Sequence, residues 1–96
     1  MRDATIIGAD DAVTITDLLR EVGKAPPTPP GLRDAAGYWA GAVEPGMEPG
    51  DLQTVAWLLR DLSAERRIPA IRRDQARYWA AYLEGRMAGL DDRMAG

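Results

Sequence analysis

Apolar residues recur every three or four positions in four separate segments of the chain. The first segment carries Ala12, Ile15, Leu19 and Val22, and the third carries Leu52, Val55, Leu59 and Leu62. The second carries Leu32, Ala36, Trp39 and Val43. The matching positions of the fourth are Arg72, Ala76, Trp79 and Leu83, beside a parallel stripe of Ile71, Gln75, Tyr78 and Tyr82. This spacing is typical of helices with one buried face. The pattern predicts an all-α fold of four helices.

The segments are related by an internal repeat of forty residues. When residues 11–51 are aligned with residues 51–91 without gaps, fifteen of forty-one pairs are identical, where chance would give roughly three. The longest shared elements are Leu18-Leu19-Arg20 with Leu58-Leu59-Arg60, and Tyr38-Trp39-Ala40 with Tyr78-Trp79-Ala80. We interpret the chain as two tandem duplicated helical hairpins related by a pseudo-two-fold axis.

Capping residues predict where the helices begin. Asp10 or Asp11 in the first hairpin and Asp51 in the second are acidic N-cap candidates. Thr28 is a candidate cap for a second helix that starts at Pro29, because proline suits the first turn of a helix.

Glycine and proline predict where the helices end. Gly23 is a C-cap candidate for the first helix, whereas Ser63 at the corresponding position predicts a longer third helix. The second helix is predicted to end near Glu44, before Pro45-Gly46, and the fourth to continue toward Gly89.

These limits predict one helical domain over residues 1–96. Its parts are an arm (1–9) in which Thr5-Ile6-Ile7 has weak strand character, hairpin one (10–44), a Pro/Gly joint (45–50), hairpin two (51–90) and a tail (91–96).

Composition excludes several classes of chemistry. The chain has no His and no Cys, so disulfides, thiol nucleophiles and histidine catalysis are impossible. No nucleophile–base set or phosphate loop is present, and we expect no enzyme activity, no cofactor and no metal site. The acidic start is unlike a signal peptide and no apolar run reaches about 18 residues, which predicts a cytoplasmic protein without membrane contact.

Several aromatic and apolar residues exceed what one small core needs. We expect Trp39 and Trp79 in the core and Tyr38 and Tyr78 at its edge. Trp57 lies off its stripe and aligns with Asp17, so it either covers the seam between the hairpins or contacts a partner. The candidate partner-binding residues are Tyr38, Trp57, Tyr78, Tyr82, Met87 and Leu90.

A basic stretch of the chain offers an alternative to protein binding. Between residues 60 and 77, six arginines outnumber three acidic residues and leave a local charge of +3 in a chain of net charge −3. The stretch is either a solvated face with local ion pairs or a phosphate-contacting patch of a helix-turn-helix unit. The nucleic-acid candidates are Arg66, Arg67, Arg72, Arg73 and Arg77.

Two arginines are predicted to set the hairpin register. Arg20 and Arg60 end the first helix of each hairpin, and Asp34 and Asp74 begin the second. We expect the ion pairs Arg20–Asp34 and Arg60–Asp74 across the hairpins, each contributing only about 0–1 kcal/mol when exposed.

Three functions remain open from sequence. The first is a non-enzymatic interaction module that regulates or inhibits a partner protein, with self-association also plausible. The second is a DNA-binding transcriptional regulator. The third is a small structural or assembly protein of a phage or mobile element; eleven Arg against one Lys, with abundant Ala and Gly, suggests a GC-rich and hence actinobacterial or phage origin.

Overall fold

The chain folds into four α-helices. The computed structural model describes the chain over residues 7–95 and its side chains over residues 7–89. The helices are α1 (Ala9–Lys24), α2 (Pro30–Ala40), α3 (Pro49–Ala64) and α4 (Ala70–Ala95). No strand occurs between residues 7 and 95, and the all-α prediction is confirmed. Thr5 and Ile6 of the predicted weak strand lie outside the described residues. Ile7, its last residue, is described and its side chain is buried.

Each helix packs mainly against its neighbour in the same hairpin, α1 on α2 and α3 on α4. Smaller contacts join α2 to α3 and α1 to α4, so each hairpin meets the other along two seams. The molecule measures 44 × 21 × 20 Å, and α4 accounts for most of its length, because 26 helical residues span about 39 Å.

The predicted stripes of the first and third helices form the core. All eight of their members are buried, and Leu18, Leu58 and Ala56 join them. Leu18 and Leu58 were not in the predicted stripes, although they lie three residues after Ile15 and Val55 and therefore on the same helix face. The fully buried Ala36, Ala76 and Ala80 let α2 and α4 approach the leucine-rich helices closely.

Trp39 and Trp79 lie at the edge of this core. Both are half-buried and pack against it, so they border the predicted core instead of lying at its centre. The smaller Ala36 and Ala76 occupy the centre of the buried face, because α2 and α4 lie too close to the neighbouring helices for an indole there.

The two halves match in helix bounds and in burial. Helices α1 and α3 begin and end forty residues apart, and so do the starts of α2 and α4. Thr28 and Ile68, forty residues apart in equivalent turns, are both 2% exposed. These features agree with a duplication, which stays an interpretation of the sequence.

The predicted helix starts are wrong by two or three residues. Helix α1 begins after Gly8 and α3 after Glu48, and neither makes a side-chain cap hydrogen bond. Proline at the first position of α3 presets the helical φ angle. Asp10, Asp11 and Asp51 instead lie in the first turns, where their negative charge favours the positive end of the helix dipole.

The predicted cap at Thr28 is also wrong. Helix α2 begins at Pro30 with Pro29 as its N-cap. The Thr28 side chain is buried, and its hydroxyl has no hydrogen-bond partner within residues 7–89.

The helix ends also differ from the predictions. Helix α1 continues past Gly23 to Lys24 and is as long as α3. Gly23 permits close packing instead, because a Cβ there would lie 3.4 Å from the Gly37 nitrogen in α2. Helix α2 stops at Ala40 rather than near Glu44.

The joint and the tail also differ from their predicted bounds. The joint lies over residues 41–48 rather than 45–50, because α2 ends at Ala40 and because Pro49 and Gly50 belong to the first turn of α3. Helix α4 continues to Ala95 through most of the predicted tail, since it has no proline to stop it.

The predicted ion pairs across the hairpins are wrong. Arg20 pairs with Asp17 on its own helix at 3.5 Å. Arg60 reaches Glu84, with its Nε donating to Glu84 Oε2 at 3.2 Å. Asp74 pairs with Arg77. Arg60 therefore joins α3 to α4 about three helical turns beyond Asp74, the partner that the helix ends predicted, and it does so at the part of α4 that extends beyond α2.

Candidate protein-binding surface

Two exposed tyrosines are held by their tryptophan neighbours. Tyr38 is 68% exposed and Tyr78 is 62% exposed. The ring of Tyr38 meets the ring of Trp39 edge-on at 5.1 Å, and Tyr78 meets Trp79 in the same way at 5.1 Å. Because each tryptophan is anchored against the core, each tyrosine presents a restrained aromatic surface to solvent. A side chain ordered in this way loses less conformational entropy when a partner binds.

Trp57 is a third exposed aromatic residue. It is 61% exposed on α3, so the alternative that it covers the seam between the hairpins is wrong. Its neighbour Ala56 is fully buried, so α3 turns this residue and not Trp57 toward the core. A largely exposed tryptophan is costly to hydrate and is a frequent anchor of protein–protein contacts.

Ile71 and Val13 are exposed apolar residues that the sequence reasoning did not select. Ile71 is 65% exposed and lies seven residues before Tyr78, so the two share one face of α4. Ile71 was part of the predicted parallel stripe, and its pairing with Tyr78 at helical spacing was the signal that could have identified it. Val13 is exposed on α1.

Tyr82, which was predicted to contact a partner, makes its contacts within the molecule. Its hydroxyl donates a hydrogen bond to Asp11 Oδ2 at 2.7 Å, which joins α4 to the first turn of α1. Its ring lies 5.2 Å from the ring of Trp79, and the Arg86 guanidinium lies over it, 6.0 Å from the ring centre. The bond to Asp11, helped by burial, raises the pKa of Tyr82.

We expect Tyr82→Phe to lower the free energy of unfolding by about 0.5–1.5 kcal/mol, the usual net value of one hydrogen bond. The full decrease in the free energy of unfolding should be seen below pH about 10, where the phenol is protonated in both folded and unfolded chains. It should vanish as the pH rises through the raised pKa, because a phenolate cannot donate to Asp11. Urea unfolding of both proteins from pH 7 to 11 measures this, and a constant difference would contradict it.

Met87 and Leu90 were also predicted to contact a partner. Met87 is buried in the core, so its assignment to a partner surface is wrong; the continuation of α4 beyond residue 80 gives it apolar neighbours. The side chain of Leu90 lies outside the described residues.

The basic stretch is largely neutralised by neighbouring groups. Arg67 pairs with Glu65 at 2.9 Å, and this contact lowers the pKa of Glu65 and raises that of Arg67. Arg77 donates to Asp74 at 2.9 Å, and Arg73 donates to the Ile68 carbonyl at 2.9 Å. These partners occupy donors that a phosphate would need.

The remaining arginines of the stretch lie in three places: Arg72 on the α1–α4 seam, Arg60 between α3 and α4, and Arg66 in the turn that joins these two helices. Arg72 donates to Gln75 at 3.0 Å and lies 3.9 Å from Glu21 of α1. The hydrogen bond between Arg60 and Glu84 raises the pKa of Arg60 and lowers that of Glu84. Arg66 is exposed in the turn between α3 and α4.

The described surface has concave regions on both sides of the molecule. One of about 380 Å³ lies between the end of α2 and the start of α3, and one of about 370 Å³ lies along α1 beside Val43 and Pro45. A smaller one, about 170 Å³, lies on the α1–α4 seam beside Trp79. Within residues 7–89, no three His, Cys, Asp or Glu side chains come close enough together to hold a metal ion. No helix of the described chain has the length and apolar character needed to cross a membrane.

The sequence matches no protein-family model and no curated protein, and neither the chain nor its fold matches a solved structure.

Proposed function

We propose that the protein is a non-enzymatic helical interaction module that regulates or inhibits a partner protein by binding it. The observation that carries this proposal is the exposure of Trp57, with 61% of the residue open to solvent. Its counterpart in the first half is Asp17, so the helix can be built at this position without an aromatic residue. The tryptophan is therefore better explained by a contact than by stability.

Tyr38, Tyr78 and Ile71 add exposed apolar area on α2 and α4. Tyrosine and tryptophan are enriched in binding surfaces because they offer a large contact area with few rotatable bonds. The intramolecular partners of most of the basic stretch weigh against the alternative of DNA binding, since a protein that neutralises phosphates needs free cationic groups. A small structural or assembly protein would use the same aromatic surface for contacts between copies.

Trp57→Asp, which installs the residue of the first half, is expected to weaken partner binding at least about tenfold, as truncation of an aromatic anchor does. Immobilised wild type and variant are compared for proteins retained from an extract of the source cell, with and without nuclease. The affinity of the retained partner is then measured with purified proteins by calorimetry. The matched control is Val13→Asp, which changes an exposed apolar residue on α1.

The folded state should tolerate both substitutions, because exposed positions contribute within about 0.5 kcal/mol, and circular dichroism checks this. Retention that depends on nucleic acid would favour the DNA-binding alternative. A mass in solution of a defined oligomer that Trp57→Asp dissociates would favour the assembly alternative. Equal partner affinity for wild type and Trp57→Asp would contradict the proposal.

A further inference from the structure

The cavity between the end of α2 and the start of α3 corresponds to a site that Tyr82 fills on the opposite seam. Tyr82 lies between α4 and the first turn of α1, where it bonds Asp11 and packs edge-on against Trp79. In the other half of the repeat, the equivalents of Tyr82 and Trp79 are Ala42 and Trp39, forty residues earlier, and the equivalent of Asp11 is Asp51, forty residues later. These three equivalents line the cavity of about 380 Å³. The acceptor and the aromatic wall are thus present there, and the phenol is missing.

The aromatic pair beside each site has the same geometry, although Ala42 lies in the turn after α2 and Tyr82 lies within α4. Trp39 holds the same edge-on contact with Tyr38, at 5.1 Å and 90°, as Trp79 holds with Tyr78, at 5.1 Å and 88°. Asp11 is half-buried, whereas Asp51 is exposed. A tyrosine ring that covers Asp11, with no such ring over Asp51, would produce this difference in exposure.

The charge around the cavity indicates what accompanies the phenol. Glu44, Glu48 and Asp51 line it, and no Lys or Arg does so within the described residues. On the filled seam, Arg86 stands over the Tyr82 ring; the position forty residues earlier is Gly46, which also lines the cavity. The empty site therefore lacks both the phenol and the cation that complete its counterpart.

We propose that this cavity binds a tyrosine side chain of a partner protein, next to an arginine of the same partner segment. The tyrosine hydroxyl donates to the Asp51 carboxylate, its ring packs against Trp39 and Tyr38, and the arginine faces Glu44 and Glu48. A hydrogen bond to a carboxylate is stronger than one between neutral groups, and the acidic rim attracts the basic flank. This inference rests on the proposed function, since it names the chemistry of the protein that the module binds.

The test is a titration of the full ¹⁵N-labelled chain with the peptide acetyl-Arg-Tyr-Arg-amide, followed by NMR. We expect shifts of the Trp39 indole N–H and of the Ala42 and Asp51 amides. Acetyl-Arg-Phe-Arg-amide, which lacks only the hydroxyl, should bind about tenfold more weakly. No shift at millimolar peptide, or equal binding of the two peptides, overturns the proposal. Binding of p-cresol as tight as that of the tyrosine peptide overturns the assignment to a protein partner.

Two variants connect the binding to the site. Asp51→Ala should weaken the tyrosine peptide about tenfold, whereas the matched control Asp11→Ala, at the filled site, should leave its affinity unchanged. Ala42→Tyr should fill the cavity and abolish binding while raising the thermal midpoint. If Ala42→Tyr does not stabilise the chain more than Ala42→Phe does, the cavity is not equivalent to the Tyr82 site and the inference fails. These measurements do not involve Trp57, so their outcome is separate from that of the proposed function.

Discussion

Leu59→Ala is expected to lower the free energy of unfolding by about 2–5 kcal/mol, the usual cost of truncating a fully buried leucine. Leu59 has no exposed surface and lies at the centre of the α3 stripe. A chain of 96 residues has a total stability of only about 5–14 kcal/mol at typical values per residue. The substitution should therefore remove a large part of it. The thermal midpoint should fall by roughly 8–40 °C, at about 4–8 °C for each kcal/mol.

The same experiment examines the equivalence of the two halves. Leu19, forty residues earlier, is also fully buried, and Leu19→Ala should cost about the same free energy if the hairpins are copies of one another. Ile71→Ala is the matched surface control and should change stability by no more than about 0.5 kcal/mol. Thermal and urea unfolding, followed by circular dichroism, measure all three. A loss below about 1 kcal/mol for Leu59→Ala would contradict the core described above.

Thr28→Val is expected to stabilise the protein by about 1–3 kcal/mol, which is the cost of burying a polar group without a hydrogen bond. Thr28 is 2% exposed, and its Oγ1 has no partner within residues 7–89. Valine keeps the branched shape and removes the hydroxyl. The corresponding position of the second hairpin holds Ile68, buried to the same extent, so the turn accepts an apolar side chain.

The control for this prediction is Thr14→Val. The Thr14 hydroxyl is exposed and donates to the Asp10 carbonyl at 3.0 Å, so its loss should change stability by about 0.5 kcal/mol or less. Differential scanning calorimetry gives both midpoints. A lower midpoint for Thr28→Val than for wild type would mean that the hydroxyl has a hydrogen bond in solution.

The candidate surface could be predicted from sequence only in part. Tyr38, Tyr78 and Trp57 were selected because they fell at the edge of the helical stripes or outside them, and they are exposed. Tyr82 and Met87 were selected on the same grounds, yet one bonds Asp11 and the other is buried. Their outcome depended on how far α4 continues beyond α2 and on which helix it meets there. The periodicity of a single helix contains neither quantity.

Ion pairing was predicted from helix ends alone and was wrong for the same reason. The packing of α3 on α4 places Glu84, rather than the predicted Asp74, beside Arg60. Asp74 meanwhile finds Arg77 three residues further along its own helix. The free energies of alternative ion pairs between exposed side chains differ by little. Sequence spacing does not reveal such small differences.

The sequence by itself determined the number of helices, the buried stripes of the first and third helices and the forty-residue correspondence between the halves. Apolar spacing and proline placement act over one or two helical turns, so these features follow from neighbours along the chain. The tertiary structure decided which aromatic residues face solvent, where the arginines bond and which seam keeps an open cavity. These depend on the approach of residues as far apart as Asp11 and Tyr82, and such contacts are set by how whole helices pack.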